Sequence, residues 1–186
     1  MSGHSKWSKI KHQKSTTDAK KGHVFSKLSR LITIAAKKGG GDPDSNFELK
    51  YSVNKAKSAN MPSDKIENAI KKGTGELQGE KLEEILFETF GPGGSALVIT
   101  GITDNTNRTS NEIKHLLSKN NSKLATPGSA IWAFGKDEKG KWKPKSTIDI
   151  SDAEKEKLKQ LIEAIEEQED VQSIFANVTG FMSQDS

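Results

Sequence analysis

The sequence predicts an α+β protein, in which a three-helix N-terminal domain carrying a basic arm precedes a split β-α-β sandwich with an antiparallel sheet. Three observations predict it. Apolar residues recur at helical spacing three times before residue 75. Just beyond, they alternate with period two on either side of a Gly-rich turn. The charge changes sign at the same place: residues 1–75 hold 16 Lys and Arg against 6 Asp and Glu, and residues 76–186 hold 13 against 19. The cores are expected to be modest, because 32% of the residues are hydrophobic and even the glycines do not bring that to the roughly 45–50% of an ordinary soluble domain.

Residues 1–21 are basic and polar without a sustained apolar period, and read as a mobile arm able to order on a partner. Val24, Phe25, Leu28, Leu31, Ile32, Ala35 and Ala36 form one stripe on a 3.6-residue period, a helix ended by Gly39-Gly40-Gly41. Asp42-Pro43 is a cap and first-turn pair for a second helix, whose face is Phe47, Leu49, Tyr51, Val53 and Ala56. Pro62 breaks the chain. Ser63 is a plausible cap for a third helix through Ile66, Ala69 and Ile70, with Gly73 at a left-handed C-terminal position. These elements define a first domain over residues 1–75.

The second domain is expected over 76–186. Residues 85–90 and Ala96-Leu97-Val98-Ile99-Thr100 flank Gly91-Pro92-Gly93-Gly94 as a hairpin. Thr109-x-x-Glu112 has the spacing of a capping box and opens a helix with Ile113, Leu116 and Leu117 inward. Ala130-Ile131-Trp132-Ala133-Phe134 reads as a third strand, and 135–146 as a connector too rich in Lys and Gly for a core. Ile148-Asp149-Ile150 is a brief strand. Ser151 or Asp152 caps a helix carrying Leu158, Leu161, Ile162 and Ile165, and residues 171–178 close as a strand. This order is ferredoxin-like, with two helices on one side of the sheet.

Composition excludes several chemistries. Without cysteine there is no disulfide framework, thiolate zinc site, iron–sulfur cluster or cysteine nucleophile. No secretory leader or membrane-spanning run is recognisable, so a soluble, cytoplasmic protein is expected. His4, His12 and His23 lack metal-ligand spacing and His115 lies far away, so no metal or other cofactor is expected. The Gly91–Gly94 turn lacks the Gly-Lys-Ser/Thr of a phosphate-binding loop. Glu163, Glu166, Glu167, Glu169 and Asp170 read as a solvated acidic face rather than an acid/base pair. No catalytic residue is assigned, and the protein is expected not to be an enzyme.

The binding signal is cationic. Residues 1–38 hold ten basic side chains against Asp18 alone, a field that attracts nucleic acid. The candidate contacts are Lys6, Lys9, Lys11, Lys14, Lys20, Lys21, Lys27 and Arg30, interleaved with His4, Trp7 and His12, which can stack on bases. A second candidate is the loop of Asp104, Asn105, Asn107 and Arg108 at a helix N-terminus, where free N–H groups and a guanidinium suit an anion. The competing reading of that loop is turn and capping chemistry.

Gly3-His4-Ser5-Lys6-Trp7, Ile10-Lys11-His12, Asp18-Ala19-Lys20-Lys21-Gly22, Gly39-Gly40-Gly41-Asp42-Pro43, Ala59-Asn60-Met61-Pro62, Gly91-Pro92-Gly93-Gly94 and Thr103-Asp104-Asn105-x-Asn107-Arg108-Thr109 together resemble the YebC/PmpR family. Gly128-Ser129-Ala130, Trp132-x-Phe134, Asp170-Val171-Gln172 and Asn177 extend the resemblance. It implies a helical domain and two α/β domains, the third inserted within the second. It also implies a DNA-binding transcriptional regulator or, as in relatives that include the mitochondrial activator of cytochrome oxidase subunit I translation, a factor acting on ribosomes or messenger RNA. The chain departs from the family between Phe134 and Thr147, where the Lys-rich connector stands in place of the inserted domain, and at Asn121-Ser122-Lys123, where glycines are usual. The expected function is a non-enzymatic regulator that binds RNA on the ribosome, with relief of stalled translation as one role the resemblance implies. DNA-binding transcriptional control is the alternative. A basic arm alone cannot separate the two, since phosphate attraction ignores sugar and sequence.

Overall fold

A computed structural model describes the backbone of residues 3–138, 140–181 and 184–185, and the side chains of residues 17–138 and 140–181. Contacts divide it into two compact units, Met1–Glu80 and Lys81–Ser186. In the first, the apolar stripe belongs to a helix longer than the stripe itself: α1 runs Gly3–Gly39. From Gly3 onward, the segment expected to be an arm is therefore helical in its backbone. Between Gly3 and Gly22 there is neither proline nor glycine, and extending a helix from an established turn is far easier than nucleating one.

Helix α2 spans Phe47–Ser58 and α3 spans Ser63–Thr74. Asp42 does not cap α2; its carboxylate accepts the Asp44 N–H at 3.0 Å within a separate turn. Asn46 is the cap. Its side-chain oxygen accepts the Leu49 N–H at 3.1 Å, and its Nδ2 donates to the carbonyls of Ala35 at 2.8 Å and Gly40 at 2.9 Å. One buried carboxamide thus closes α1 and opens α2. The inward face of α2 is Leu49, Val53 and Ala56, whereas Phe47 is 74% exposed and Tyr51 43%. Helical geometry explains the difference, because 49, 53 and 56 follow the 3.6 period and 47 and 51 lie off it.

Helix α3 starts directly after Pro62, with no side-chain cap from Ser63, and its left-handed terminal residue is Gly75 rather than Gly73. Gly73 has a different role. It lies against the Thr33 carbonyl of α1, and a Cβ there would come within 2.7 Å of Ala36 Cβ. The core of the unit joins Leu28, Ile32, Ala35 and Ala36 to Leu49, Val53 and Ala56 of α2, Met61, and Ile66 and Ala69 of α3.

In the second unit, β1 (Glu83–Phe90) and β2 (Ala96–Thr103) form the hairpin, in register from Glu83 opposite Thr103 to Phe90 opposite Ala96. Helix α4 is Thr106–Lys119, capped by Asn105; Thr109 is inside it, so the capping-box spacing there is coincidental. Residues 131–133 form a short 3₁₀ turn, not a strand, before β3 (Phe134–Lys136) and β4 (Trp142–Pro144), which pair as a two-stranded ribbon. Helix α5 spans Asp152–Glu166 behind a Ser151–Glu154 capping box. Strands β5 (Val171–Ala176) and β6 (Gln184–Asp185) complete an antiparallel sheet of order β1-β2-β5-β6. Ile148 makes an isolated parallel bridge to Val178.

Period-two alternation along β2 assigns the two faces of the sheet. Leu97 and Ile99 pack with Ile113 and Leu117 of α4 and Leu158, Leu161 and Ile165 of α5. Ala96 and Val98, with Phe175, pack against Ala130, Ala133, Phe134 and Trp142. The 135–146 segment is thus more than a polar connector, since Trp142 and Phe134 anchor it over the second face of the sheet. No helix among the described residues is long and apolar enough to cross a membrane.

Candidate nucleic-acid interface

His4, Lys6, Trp7, Lys9, Lys11, His12 and Lys14 lie outside the described side chains. Of the remaining candidates in the first unit, Lys20 and Lys21 are exposed on α1. Lys27 is 7% exposed, Arg30 is half-buried, and both have partners. Lys27 therefore belongs to the packed side of α1 and is a poor phosphate contact.

An open groove of about 400 Å³ runs between α1 and α3, lined by Phe25, Ser26, Ser29, Lys65, Asn68 and Lys72. Its charged members are two lysines seven residues, about two turns, apart on α3, which places them on one face. Lys65 Nζ lies 5.5 Å from the centroid of the Phe25 ring. The groove combines cations, two hydroxyls and an amide, a donor set suited to phosphate oxygens. Sequence reasoning missed Lys65 and Lys72, because nothing in the spacing of α3 distinguishes them from its other lysines. Phe47 and Tyr51, four residues apart, stand on the exposed side of α2 and not on the apolar face that the sequence predicts for them.

The second candidate loop is built as a clasp. Asn105 Oδ1 accepts the Arg108 N–H at 3.0 Å, which occupies one of the N-terminal donors of α4. The Arg108 guanidinium donates to Asp104 at 2.7 Å and Asp170 at 3.0 Å, and its Nε stands 3.9 Å from Glu112. Hydrogen bonds donated to Asp104 and then Asp170 hold it charged, with its pKa raised above the ordinary range for arginine. Asp170 is 1% exposed. Besides Arg108, its carboxylate accepts from the hydroxyls of Thr103 and Thr109 and from Gln168 Nε2. Asn107 is exposed at the rim. With three carboxylates around the guanidinium, this geometry favours the capping reading: the loop ties the β2–α4 junction to the turn before β5.

A second buried carboxylate organises residues 128–131. Glu88 of β1 accepts the backbone N–H groups of Gly128 at 2.7 Å and of Ala130 and Ile131 at 2.8 Å each. Burial alone would raise its pKa, but the three N–H groups outweigh burial and hold the carboxyl below the usual range. Trp132, next along, is 64% exposed and donates its indole N–H to the Ser129 carbonyl at 2.7 Å. Among the described residues no cluster of three or more His, Asp or Glu could hold a metal ion.

Comparison with known proteins gives two family matches. Residues 5–76 match the TACO1/YebC protein N-terminal domain, and residues 82–140 and 135–178 match the TACO1/YebC second and third domain in two pieces. A protein of Petrotoga mobilis named probable transcriptional regulatory protein is 59% identical over 134 residues, 72% of this chain and 53% of its own length. The chain thus spans about half of that relative in the matched stretch. A Fervidobacterium nodosum protein of the same name is 38% identical over 235 positions, covering 95% of this chain and 93% of its own. That alignment is longer than the 186-residue chain and so crosses gaps in it. The relatives are named as regulators, not enzymes. The crystal structure of a conserved hypothetical protein from Aquifex aeolicus superposes with a TM-score of 0.78 at 31% identity, covering 87% of this chain and 91% of that one.

Proposed function

The chain belongs to the TACO1/YebC family, and from that membership we propose that it is a non-enzymatic regulator of gene expression that binds structured RNA on the ribosome through its helical unit. One observation carries the reading: the α1–α3 groove, where Lys65 and Lys72 stand beside Ser26, Ser29 and Asn68 in a region whose sequence is strongly basic. Lysines neutralise phosphates, and the small polar groups supply short donors between them. The arm candidates from His4 to Lys14 extend the same cationic sequence, and Lys20 and Lys21 continue it on α1. The second unit serves mainly as a spacer or protein-facing surface, because the same polyanion is repelled wherever its carboxylates face outward. The ribbon of residues 134–144 stands where longer relatives carry a third domain; the two-piece match to the second model supports that placement. Such a protein works in the cytoplasm, where ribosomes are.

The second reading is a DNA-binding transcriptional regulator, favoured by the relatives' names. Co-sedimentation with ribosomes, run beside duplex-DNA binding over a salt series, separates the two. Ribosome association that weakens in Lys65→Gln/Lys72→Gln is expected. Sequence-selective DNA binding without ribosome association overturns the RNA reading.

A further inference from the structure

We propose that the β3–β4 ribbon and Trp132 form a second contact, on the acidic unit, for an unpaired RNA strand. The inference rests on the nucleic-acid reading above. The ribbon's register divides its side chains. Phe134 opposite Pro144 and Lys136 opposite Trp142 share one face, and Gly135 opposite Lys143 lies on the other. The first face is the packed one, since Phe134 and Trp142 join the core beneath the sheet and Lys136 lies 5.0 Å over the Trp142 ring. Alternation then puts Lys143 and, just past the strand end, Lys145 on the outward face, with the half-buried Lys141 before them. Gly135 leaves that face flat: a Cβ there would lie 3.4 Å from the Lys145 chain.

Lys143 and Lys145 are exposed, and among the described residues neither has a carboxylate partner. Of the ribbon's own acids, Asp137 accepts the Lys141 backbone N–H at 2.9 Å at the hairpin end, with Glu138 beside it in the turn. Residues 135–146 hold five lysines against these two carboxylates, a cationic island in an otherwise acidic unit. A linear row of cations suits a linear polyanion.

Trp132 supplies what lysines cannot. It is the most exposed tryptophan described, at 64%, so it is not a core residue of this unit. Its indole N–H is already committed to Ser129, and Glu88 pins the preceding backbone through three N–H groups. The ring is therefore held in place before any ligand arrives. The Lys145 N–H donates to the Ala133 carbonyl at 2.8 Å, which keeps the end of the lysine row beside the residue that follows Trp132. A cationic track beside a fixed aromatic ring is the arrangement that binds single strands with little sequence preference, the track following phosphates and the ring stacking on a base.

The test uses the full chain and a labelled, unstructured 12-nucleotide RNA, read by anisotropy over a salt series and by tryptophan fluorescence. Lys143→Gln/Lys145→Gln is expected to reduce the slope of log K against log salt by about 1.4. Trp132→Ala should bind about tenfold more weakly with the slope unchanged and lose the share of the RNA-induced quenching that Trp7 of the arm does not supply. Trp132→Phe keeps a stacking ring and should stay close to the parent in affinity. Melting curves that match the parent establish that the variants are folded. If the parent chain neither binds this RNA nor co-sediments with ribosomes, the function proposed above fails and this inference fails with it; if it co-sediments with ribosomes but does not bind the unstructured strand, the ribbon contact alone is overturned. If the parent binds and the variants keep its affinity and slope, the ribbon contact alone is overturned. The same follows if Trp132→Phe is as weak as Trp132→Ala, or if the ribbon variants lose only duplex DNA.

Discussion

Two buried carboxylates tie loops of the second unit to its sheet, and neither was legible as such in the sequence. Glu88 lies in a strand whose other acids, Glu83 and Glu84, are exposed; what distinguishes it is three backbone donors from a segment forty residues away. Asp170 reads as the last member of an acidic run and is instead the acceptor at the centre of the Arg108 clasp. In Glu88→Gln, the amide offers one neutral acceptor and brings its own N–H groups toward three donors. It is expected to destabilise the protein by about 1.5–3 kcal/mol at neutral pH, the range for hydrogen bonds to a charged group, measured by urea unfolding. The pH dependence has a definite sign. The folded-state pKa of Glu88 is depressed, so its contribution is complete above the unfolded carboxyl pKa of about 4.3 and disappears as pH falls through the lower folded value. The gap between parent and variant should be constant above about pH 5.5 and narrow in acid, below the unfolded value; a gap that widens in acid would show that the three N–H groups do not hold the charged form.

At the scale of elements, the apolar periods located the five described α-helices, because a buried stripe is the main sequence-level cause of a helix, but not residues 3–21 of α1, which lack such a stripe, nor the 3₁₀ turn at 131–133. They placed the ends less well, since ends depend on side chains reaching neighbours. Asn46 caps α2 while holding two carbonyls of the α1 end, a long-range role that spacing does not encode. Ser151 is the contrasting case: it was one of the two caps that the sequence offered, and the box it forms with Glu154 is entirely local. Ser151→Ala should therefore lower stability by about 1 kcal/mol. Gly73 tests close approach. Alanine is the better helix former by about 1 kcal/mol, yet a Cβ at Gly73 would press on Thr33 and Ala36 of α1, and overpacking typically costs about 1–3 kcal/mol. Gly73→Ala is thus expected to lower the melting temperature, and a raised one would mean that α3 shifts off α1 freely. The β3–β4 ribbon escaped the reading for a related reason. Its strands are three residues each, too short for a period, and its anchors Phe134 and Trp142 stand among lysines.

At the scale of the molecule, the net charge of +4 conceals a division into a basic helical unit and an acidic sandwich, and that division was legible because charge can be counted without coordinates. Which cations face outward was not, since helices bury some of them: Lys27 is inside while Lys65 and Lys72 line a groove. The stability and the affinity of the helical unit should therefore separate under truncation. Every described residue of its core lies at or beyond Phe25, whereas six of the chain's lysines fall within residues 1–21. Removing residues 1–21 is expected to leave the melting temperature within a few degrees of the parent, because the described core from Phe25 to Ile70 is kept whole. It should flatten the salt dependence of RNA binding by as much as about 4 in slope, if all six lysines neutralise phosphates of a single strand. An unchanged slope would confine the contact to the α1–α3 groove and the ribbon, while a lost melting transition would mean that the N-terminal turns of α1 hold the unit together.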